Sequence, residues 1–82
     1  MARVRDTYRY TLRDGRDVVM YGVTDNPEAR LEEHKRNHNN NGITMTVNGP
    51  AVTRESALAW ERIQIEQYCR SHDGRRPRYN KI

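Results

Sequence analysis

The sequence contains no phenylalanine, a single cysteine and few large aliphatic residues. Hydrophobic residues make up 34% of the chain, which is below the roughly 45–50% of an ordinary globular protein. We therefore expect a thin core and a folding free energy of only a few kcal/mol. One cysteine cannot pair within the chain, which excludes an internal disulfide framework. No apolar run approaches the roughly 18–20 residues of a membrane-spanning helix, so we expect no membrane partner.

The charge is biased towards the positive sign. The 82 residues carry 15 Lys and Arg against 11 Asp and Glu, a formal net charge of +4. The resulting pI near 9.6 indicates a polyanionic partner, with nucleic acid the leading candidate. The first residues lack the apolar segment of a signal peptide, so we expect a cytoplasmic protein. The length predicts a single domain over residues 1–82, with a basic tail at about residues 73–82.

Three segments have the patterns of β-strands. Residues 7–12 alternate between apolar and polar side chains and predict a first strand. Asp14-Gly15 then predicts a hairpin turn into residues 18–23. That second run is apolar on both faces, so we expect it to be the central strand of the sheet. Residues 43–47 alternate again and predict a third strand.

Two helices follow from capping signals. Asp25 or Asn26 can cap a first helix that runs to about Asn37. Thr53 can cap a second helix from about Arg54 to Ser71. The predicted order β-β-α-β-α indicates an α+β domain, with a small three-stranded antiparallel sheet flanked by helices.

Glu61 is the most unusual residue of the second predicted helix. It lies on the apolar stripe formed by Leu58, Ile65 and Tyr68. A carboxylate in that position is costly unless it is paired or binds a cation. One interpretation is a glutamate at a groove edge that reaches solvent or pairs with an arginine. The other is a metal ligand or an acid–base group.

The first predicted helix carries Arg30 and His34 four residues apart, and therefore on one face. An arginine suits phosphate recognition, and a histidine can bond or transfer a proton. The alternative is an ordinary solvated helix surface. On the first strand, Tyr8 and Tyr10 face inward, and their hydroxyl groups need partners if they are buried.

Two further groups of residues have weaker patterns. The pairs His34/His38 and Cys69/His72 have local spacings that zinc accepts. They lie at the ends of separate helices without a Cys-x-x-Cys motif, so we do not favour a zinc site. The tail residues Arg75, Arg76 and Arg78 are either contacts to a nucleic-acid backbone or part of a frayed basic terminus.

The order of these features resembles the GIY-YIG nuclease domain. The resemblance covers nearly the whole chain, from about Thr7 to Asn80, with every landmark in sequence. The segments that carry it are Tyr8-Arg9-Tyr10, Met20-Tyr21-Gly22, the helix with Arg30 and His34, Ala57-Leu58-Ala59-Trp60-Glu61, and Tyr79-Asn80.

The resemblance implies a divalent-metal-dependent endonuclease that hydrolyses phosphodiester bonds. It implies DNA rather than RNA as substrate, cut non-specifically or by structure, with a homodimer or a partner protein supplying specificity. Glu61 would hold one Mg²⁺ or Mn²⁺ ion. The implied catalytic residues are Tyr10, Tyr21, Arg30, His34, Glu61 and Asn80.

The resemblance also implies how the site would work. Tyr10 would orient or deprotonate the attacking water with help from His34, and deprotonation near neutral pH requires a pKa below its usual 10. Arg30 would stabilise charge on the phosphate. The alternative function is a catalytically weakened nucleic-acid-binding or assembly module of the same fold.

The second triplet departs from the family pattern, because Met20 replaces its first tyrosine and Tyr21 follows one place later. A shift of one residue reverses the side-chain face of a regular strand. We therefore expect Tyr21 to face away from Tyr10 unless a β-bulge redirects it.

Overall fold

The computed structural model describes residues 4–80, so residues 1–3 and the last part of the predicted basic tail, 81–82, lie outside the described residues. A three-stranded antiparallel sheet and two helices confirm the predicted α+β class and element order. The elements are β1 (Tyr8–Asp14), β2 (Asp17–Thr24), α1 (Pro27–Asn37), β3 (Ile43–Val47) and α2 (Arg54–Ser71).

Both helices begin where their capping residues predict. Asn26, rather than Asp25, caps α1, and its side-chain oxygen accepts a hydrogen bond from the Ala29 amide at 3.2 Å. Thr53 caps α2 and accepts from the Ser56 amide at 3.2 Å. These bonds satisfy amides that have no partner inside the helix.

The strand order is β2-β1-β3, so β1 is the central strand and the expectation that β2 is central is wrong. The apolar residues of β2 have another cause, because the chain covers this strand from two sides. The Trp60 ring of α2 contacts Tyr21. At the outer edge of β2, the Tyr79 amide donates to the Val19 carbonyl at 2.7 Å.

A tight turn and a bulge shape the hairpin of β1 and β2. Gly15 follows Asp14 with φ of 65°, a conformation that glycine adopts without steric cost. Leu12 then pairs with Met20, and the ladder shifts so that Val19 is an extra residue in β2. Val19 and Met20 both pack in the core with Leu12.

The core is thin, as the composition predicts. It consists of the buried residues Tyr10, Leu12, Val19 and Ile43, and partly buried side chains from α1, β2, β3 and the tail surround it. Neither helix within residues 4–80 is long and apolar enough to cross a membrane.

Candidate active site

Tyr10 and His34 form the centre of the candidate active site. β1 supplies Tyr10 and α1 supplies His34, and the Tyr10 hydroxyl oxygen lies 2.9 Å from His34 Nε2. The two residues are only 1% and 7% exposed. The structure thus joins two predicted site residues that lie far apart in the sequence.

The environment of His34 constrains its protonation. Its Nδ1 is buried and has no hydrogen-bond partner within residues 4–80. The Tyr10 hydroxyl donates to Nε2 when the ring proton is on Nδ1, and Nε2 donates to the Tyr10 oxygen when the ring proton is on Nε2. Burial lowers the pKa of His34, and the neighbouring His38 acts in the same direction, so the ring is neutral at neutral pH.

Burial also dominates the electrostatics of Tyr10. It raises the pKa of Tyr10 to about 12, although Arg30 opposes this shift. The Glu61 carboxylate raises it further. To deprotonate water near neutral pH, Tyr10 would need a lowered pKa. The chain's own residues raise that pKa instead. Tyr10 therefore keeps its proton at neutral pH.

We predict that Tyr10 makes the protein lose stability between about pH 10 and pH 12. Its pKa is higher in the folded chain, so the unfolded chain releases this proton first and is favoured as the pH rises. The loss is on the order of 2–3 kcal/mol. Urea unfolding across this pH range should show the decline in wild type and in Tyr8→Phe, which leaves Tyr10 in place. Tyr10→Phe should show little of it, and an equal decline in that variant would contradict the assignment.

Two arginines line a cleft of about 410 Å³ near this pair. Arg30 lies within electrostatic range of both Tyr10 and His34. Its Nε is 4.0 Å from the Glu33 carboxylate, and both side chains are partly exposed, so this pair holds Arg30 only weakly. The cleft is lined by Asp6, Thr7, Val23, Thr24, Asp25, Arg30 and Arg54.

Arg54 is a site residue that sequence reasoning missed. It shares the cleft with Arg30 and lowers the pKa of Glu61, against the effect of burial. A signal was present, since Arg54 precedes Glu61 by seven residues and such a spacing places both on one helix face.

Glu61 is half-buried on α2, and its carboxylate forms no hydrogen bond or ion pair within residues 4–80. Burial raises its pKa, and Arg54 opposes this shift. Direct pairing of Glu61 with an arginine, which one interpretation of this residue includes, is therefore not seen among residues 4–80. A partly desolvated carboxylate without a partner can hold a cation at low cost, because the desolvation is already present.

Tyr21 does not join this group. Tyr10 pairs with Gly22 and Thr11 pairs with Tyr21, which places Tyr21 on the opposite sheet face from Tyr10. Its ring contacts Trp60 edge to face, with centroids 5.9 Å apart. The bulge at Val19 precedes Tyr21 and does not redirect it.

If the chain has the nuclease activity that the resemblance implies, Met20→Tyr should accelerate it, because Met20 pairs with Leu12 on the face that carries Tyr10. A tyrosine there adds a hydroxyl donor to the site, and one such donor is typically worth about 10²–10³ in rate. Allowing for imperfect placement, we expect about a tenfold increase in single-turnover rate. Met20→Phe is the matched control, and equal rates for the two variants would show that no hydroxyl acts at this position.

Asn80 fixes the backbone of β2. Its side-chain oxygen accepts from the Tyr21 amide at 2.9 Å, and its side-chain nitrogen donates to the Tyr21 carbonyl at 2.9 Å. Both polar atoms of the Asn80 side chain therefore bind the backbone of a single residue, Tyr21. Asn80 thus acts as a positioning residue. Beside it, the Tyr79 ring stacks on His38 with centroids 3.7 Å apart.

The three tail arginines, Arg75, Arg76 and Arg78, are exposed. Arg76 lines a groove with Glu61 on α2. Arg78 lies 3.8 Å from the Asp14 carboxylate.

The pairs with zinc-like spacing are His34/His38 and Cys69/His72. His34 and His38 stack with ring centroids 5.7 Å apart, while Cys69 and His72 lie at the end of α2. Among residues 4–80, no group of three or more His, Cys, Asp or Glu side chains is placed to hold a metal ion.

No protein-family model, curated protein or solved structure matches the chain. Tyr10 contacts His34 directly, Arg30 and Glu61 lie within electrostatic range of Tyr10, and Arg54 acts on Glu61. Glu61 lines a groove separate from the cleft of Arg30 and Arg54. Tyr21 lies on the opposite face of the sheet, and Asn80 binds the backbone of β2.

Proposed function

We propose that this chain is a divalent-metal-dependent endonuclease of the GIY-YIG type that hydrolyses phosphodiester bonds, with DNA as the expected substrate. The observation that supports this most is the hydrogen bond between the Tyr10 hydroxyl and a neutral His34, with Arg30 and Glu61 within electrostatic range of Tyr10 and no hydrogen-bond or ion-pair partner for Glu61 among residues 4–80. An acid, two polar donors and a cation in one place suit a phosphate that gains charge in its transition state.

Tyr10 acts as a hydrogen-bond donor in this proposal. In this proposal His34 carries its proton on Nε2 and donates to the Tyr10 oxygen, which leaves the Tyr10 proton for a phosphate oxygen or the attacking water. His34 fixes the hydroxyl and strengthens it as a donor. Near neutral pH Tyr10 keeps its proton because its pKa is raised, and His34 is neutral, with a single ring proton, because its pKa is lowered.

Arg30 and Arg54 bind the phosphate group itself. Two guanidinium groups on one cleft give the charge and the planar donor geometry that phosphate oxygens accept. Asp6 and Asp25 line the same cleft, and their charge opposes indiscriminate binding of anions.

The Glu61 carboxylate fits the divalent cation that this reaction class implies. It is a hard oxygen donor, partly desolvated and without a partner within the described chain, and Mg²⁺ keeps several waters when one carboxylate holds it. When bound, Mg²⁺ or Mn²⁺ polarises the phosphate and lowers the pKa of a water.

One such site cuts one strand, so a homodimer or a partner protein would be needed to cut both. The exposed tail arginines supply contacts to the nucleic-acid backbone, which weaken as salt rises. A cytoplasmic location belongs to the same proposal and accords with the free thiol of Cys69.

A nucleic-acid-binding module without cleavage is the second candidate. One observation favours it: Met20, on the sheet face that carries Tyr10, provides no hydroxyl.

A nicking assay on supercoiled plasmid and branched DNA tests the proposal. Wild type should nick with Mg²⁺ or Mn²⁺, and Tyr10→Phe should be about 10²-fold slower, because it removes one donor to the transition state. The shape of the pH–rate profile between roughly pH 6 and 9 should not change, since Tyr10 does not titrate there. If Tyr10→Phe removes a limb of the profile, Tyr10 is a base. If wild type and Met20→Tyr nick no substrate, the binding module is the correct function.

A further inference from the structure

A second cleft of about 610 Å³ lies between β2, the C-terminal half of α2 and the tail. It contains Tyr21 and not Tyr10, so it belongs to the other face of β2. Its volume is in the range of about 300–1,000 Å³ that small ligands occupy. The cleft is lined by Arg16, Asp17, Val18, Val19, Tyr21, Gln64, Gln67, Tyr68, Ser71, His72 and Arg78.

The cleft contains polar groups that the fold does not use. The side-chain amides of Gln64 and Gln67 form no hydrogen bond within residues 4–80, and neither do the hydroxyls of Tyr21 and Tyr68. Each amide offers both donors and an acceptor in one plane. This combination matches the edge of a nucleobase, where donors and acceptors lie side by side.

Aromatic rings line the same cleft. Tyr68 and His72 are stacked with centroids 3.7 Å apart and planes within 3°. Tyr21 lines the cleft from β2. A stack of two rings can extend onto a third planar group, and stacking of a base on an aromatic side chain is worth about 1–3 kcal/mol.

Two arginines complete the lining. Arg16 is exposed in the hairpin turn and has no partner within the described chain. Among residues 4–80, Arg78 has only the 3.8 Å contact to Asp14. Asp17 also lines the cleft, and its carboxylate repels anions. The attraction for a phosphate comes from the guanidinium groups of Arg16 and Arg78.

We infer that this cleft binds one unpaired nucleotide, with its base on the aromatic rings and the glutamine amides and its phosphate on Arg16 and Arg78. An acidic peptide would use the arginines alone and leave the rings and amides without a role. The choice of a nucleic-acid strand as the source of the nucleotide rests on the proposed function. The consequence for that function is a preference for substrates with unpaired nucleotides.

Trp60 is a direct reporter of this cleft. It is the single tryptophan of the chain, and its ring contacts Tyr21 in the cleft wall. The titration uses Glu61→Gln protein without divalent cation, so that cleavage does not interfere. A short single-stranded deoxyoligonucleotide should change Trp60 emission to saturation, and the matching duplex should bind at least about tenfold more weakly. Adenosine monophosphate should give the same emission change at higher concentration.

The variants separate this cleft from general charge attraction. Tyr68→Ala should weaken single-strand binding about tenfold, the equivalent of about 1.4 kcal/mol of lost stacking. Gln67→Ala, at an exposed position that the fold tolerates, should weaken it several-fold. Arg36→Ala removes an exposed charge from α1 outside the cleft and should retain the single-strand preference. The inference is overturned if emission does not change at saturation, or if duplex and single strand bind equally and Gln67→Ala weakens neither. Binding with these properties by a protein that nicks nothing would support the cleft and contradict only the nuclease.

Discussion

Glu61→Gln should abolish nicking of plasmid DNA by Mg²⁺ or Mn²⁺ while the protein remains folded. A neutral amide is a poor ligand for a hard divalent cation, whose contribution to transition-state stabilisation is several kcal/mol. The expected loss is therefore about 10³-fold or more in single-turnover rate. Stability should stay equal or rise, because burial already disfavours the charged form of Glu61, as its raised pKa indicates.

A carboxylate on the same helix provides the control. Glu66 is exposed and pairs with Arg70 at 3.1 Å, and an exposed pair of this kind contributes little. Glu66→Gln should nick at the wild-type rate. If Glu61→Gln retains full activity, Glu61 is not the metal ligand. If Glu61→Gln loses activity and its circular dichroism spectrum shows that it is unfolded, the role of Glu61 is structural.

The helices were predictable because their signals are local. Asn26 and Thr53 each satisfy an amide three residues ahead, and the apolar spacing that follows needs no information from elsewhere. The alternation in residues 7–12 and 43–47 defines strands on the same principle.

The strand order was not predictable from β2 alone. An apolar residue on both faces of a strand indicates burial, but it does not say what buries it. In this chain Trp60 and Tyr79 cover β2, and both lie more than 35 positions later in the sequence. An edge strand covered by a tail has the same sequence pattern as a central strand.

The candidate site was partly predictable. Arg30 and His34 could be paired from their spacing on one helix, and Glu61 from its position on an apolar stripe. The hydrogen bond between Tyr10 and His34 depends on how α1 packs on the sheet, which no local pattern encodes. A role of Tyr10 as a base requires a lowered pKa, whereas the chain's own residues raise it, because the extent of its burial is a tertiary property.

Gly22→Ala should destabilise the protein more than any other change considered for the sheet. Gly22 pairs with Tyr10, and a Cβ atom on Gly22 would overlap the Tyr10 ring and its hydroxyl. Overpacking of this kind costs about 1–3 kcal/mol, a large share of the stability of a small domain. The ring must move, and its hydrogen bond to His34 is then lost. We expect a markedly lower urea midpoint and no nicking.

Two comparisons identify the overlap as the cause. Gly42→Ala places its Cβ 3.2 Å from the flexible side chain of Asn40 at an exposed position, so its midpoint should change little. Tyr10→Ala removes the ring that Gly22 accommodates. In that background Gly22→Ala should cost much less than in wild type, a coupling of at least about 1 kcal/mol in a double-mutant cycle. If the cost is the same in both backgrounds, Gly22 is needed for the backbone of β2 and not for the position of Tyr10. A reduced cost would show that the missing side chain of Gly22 leaves the space in which the Tyr10 ring reaches His34.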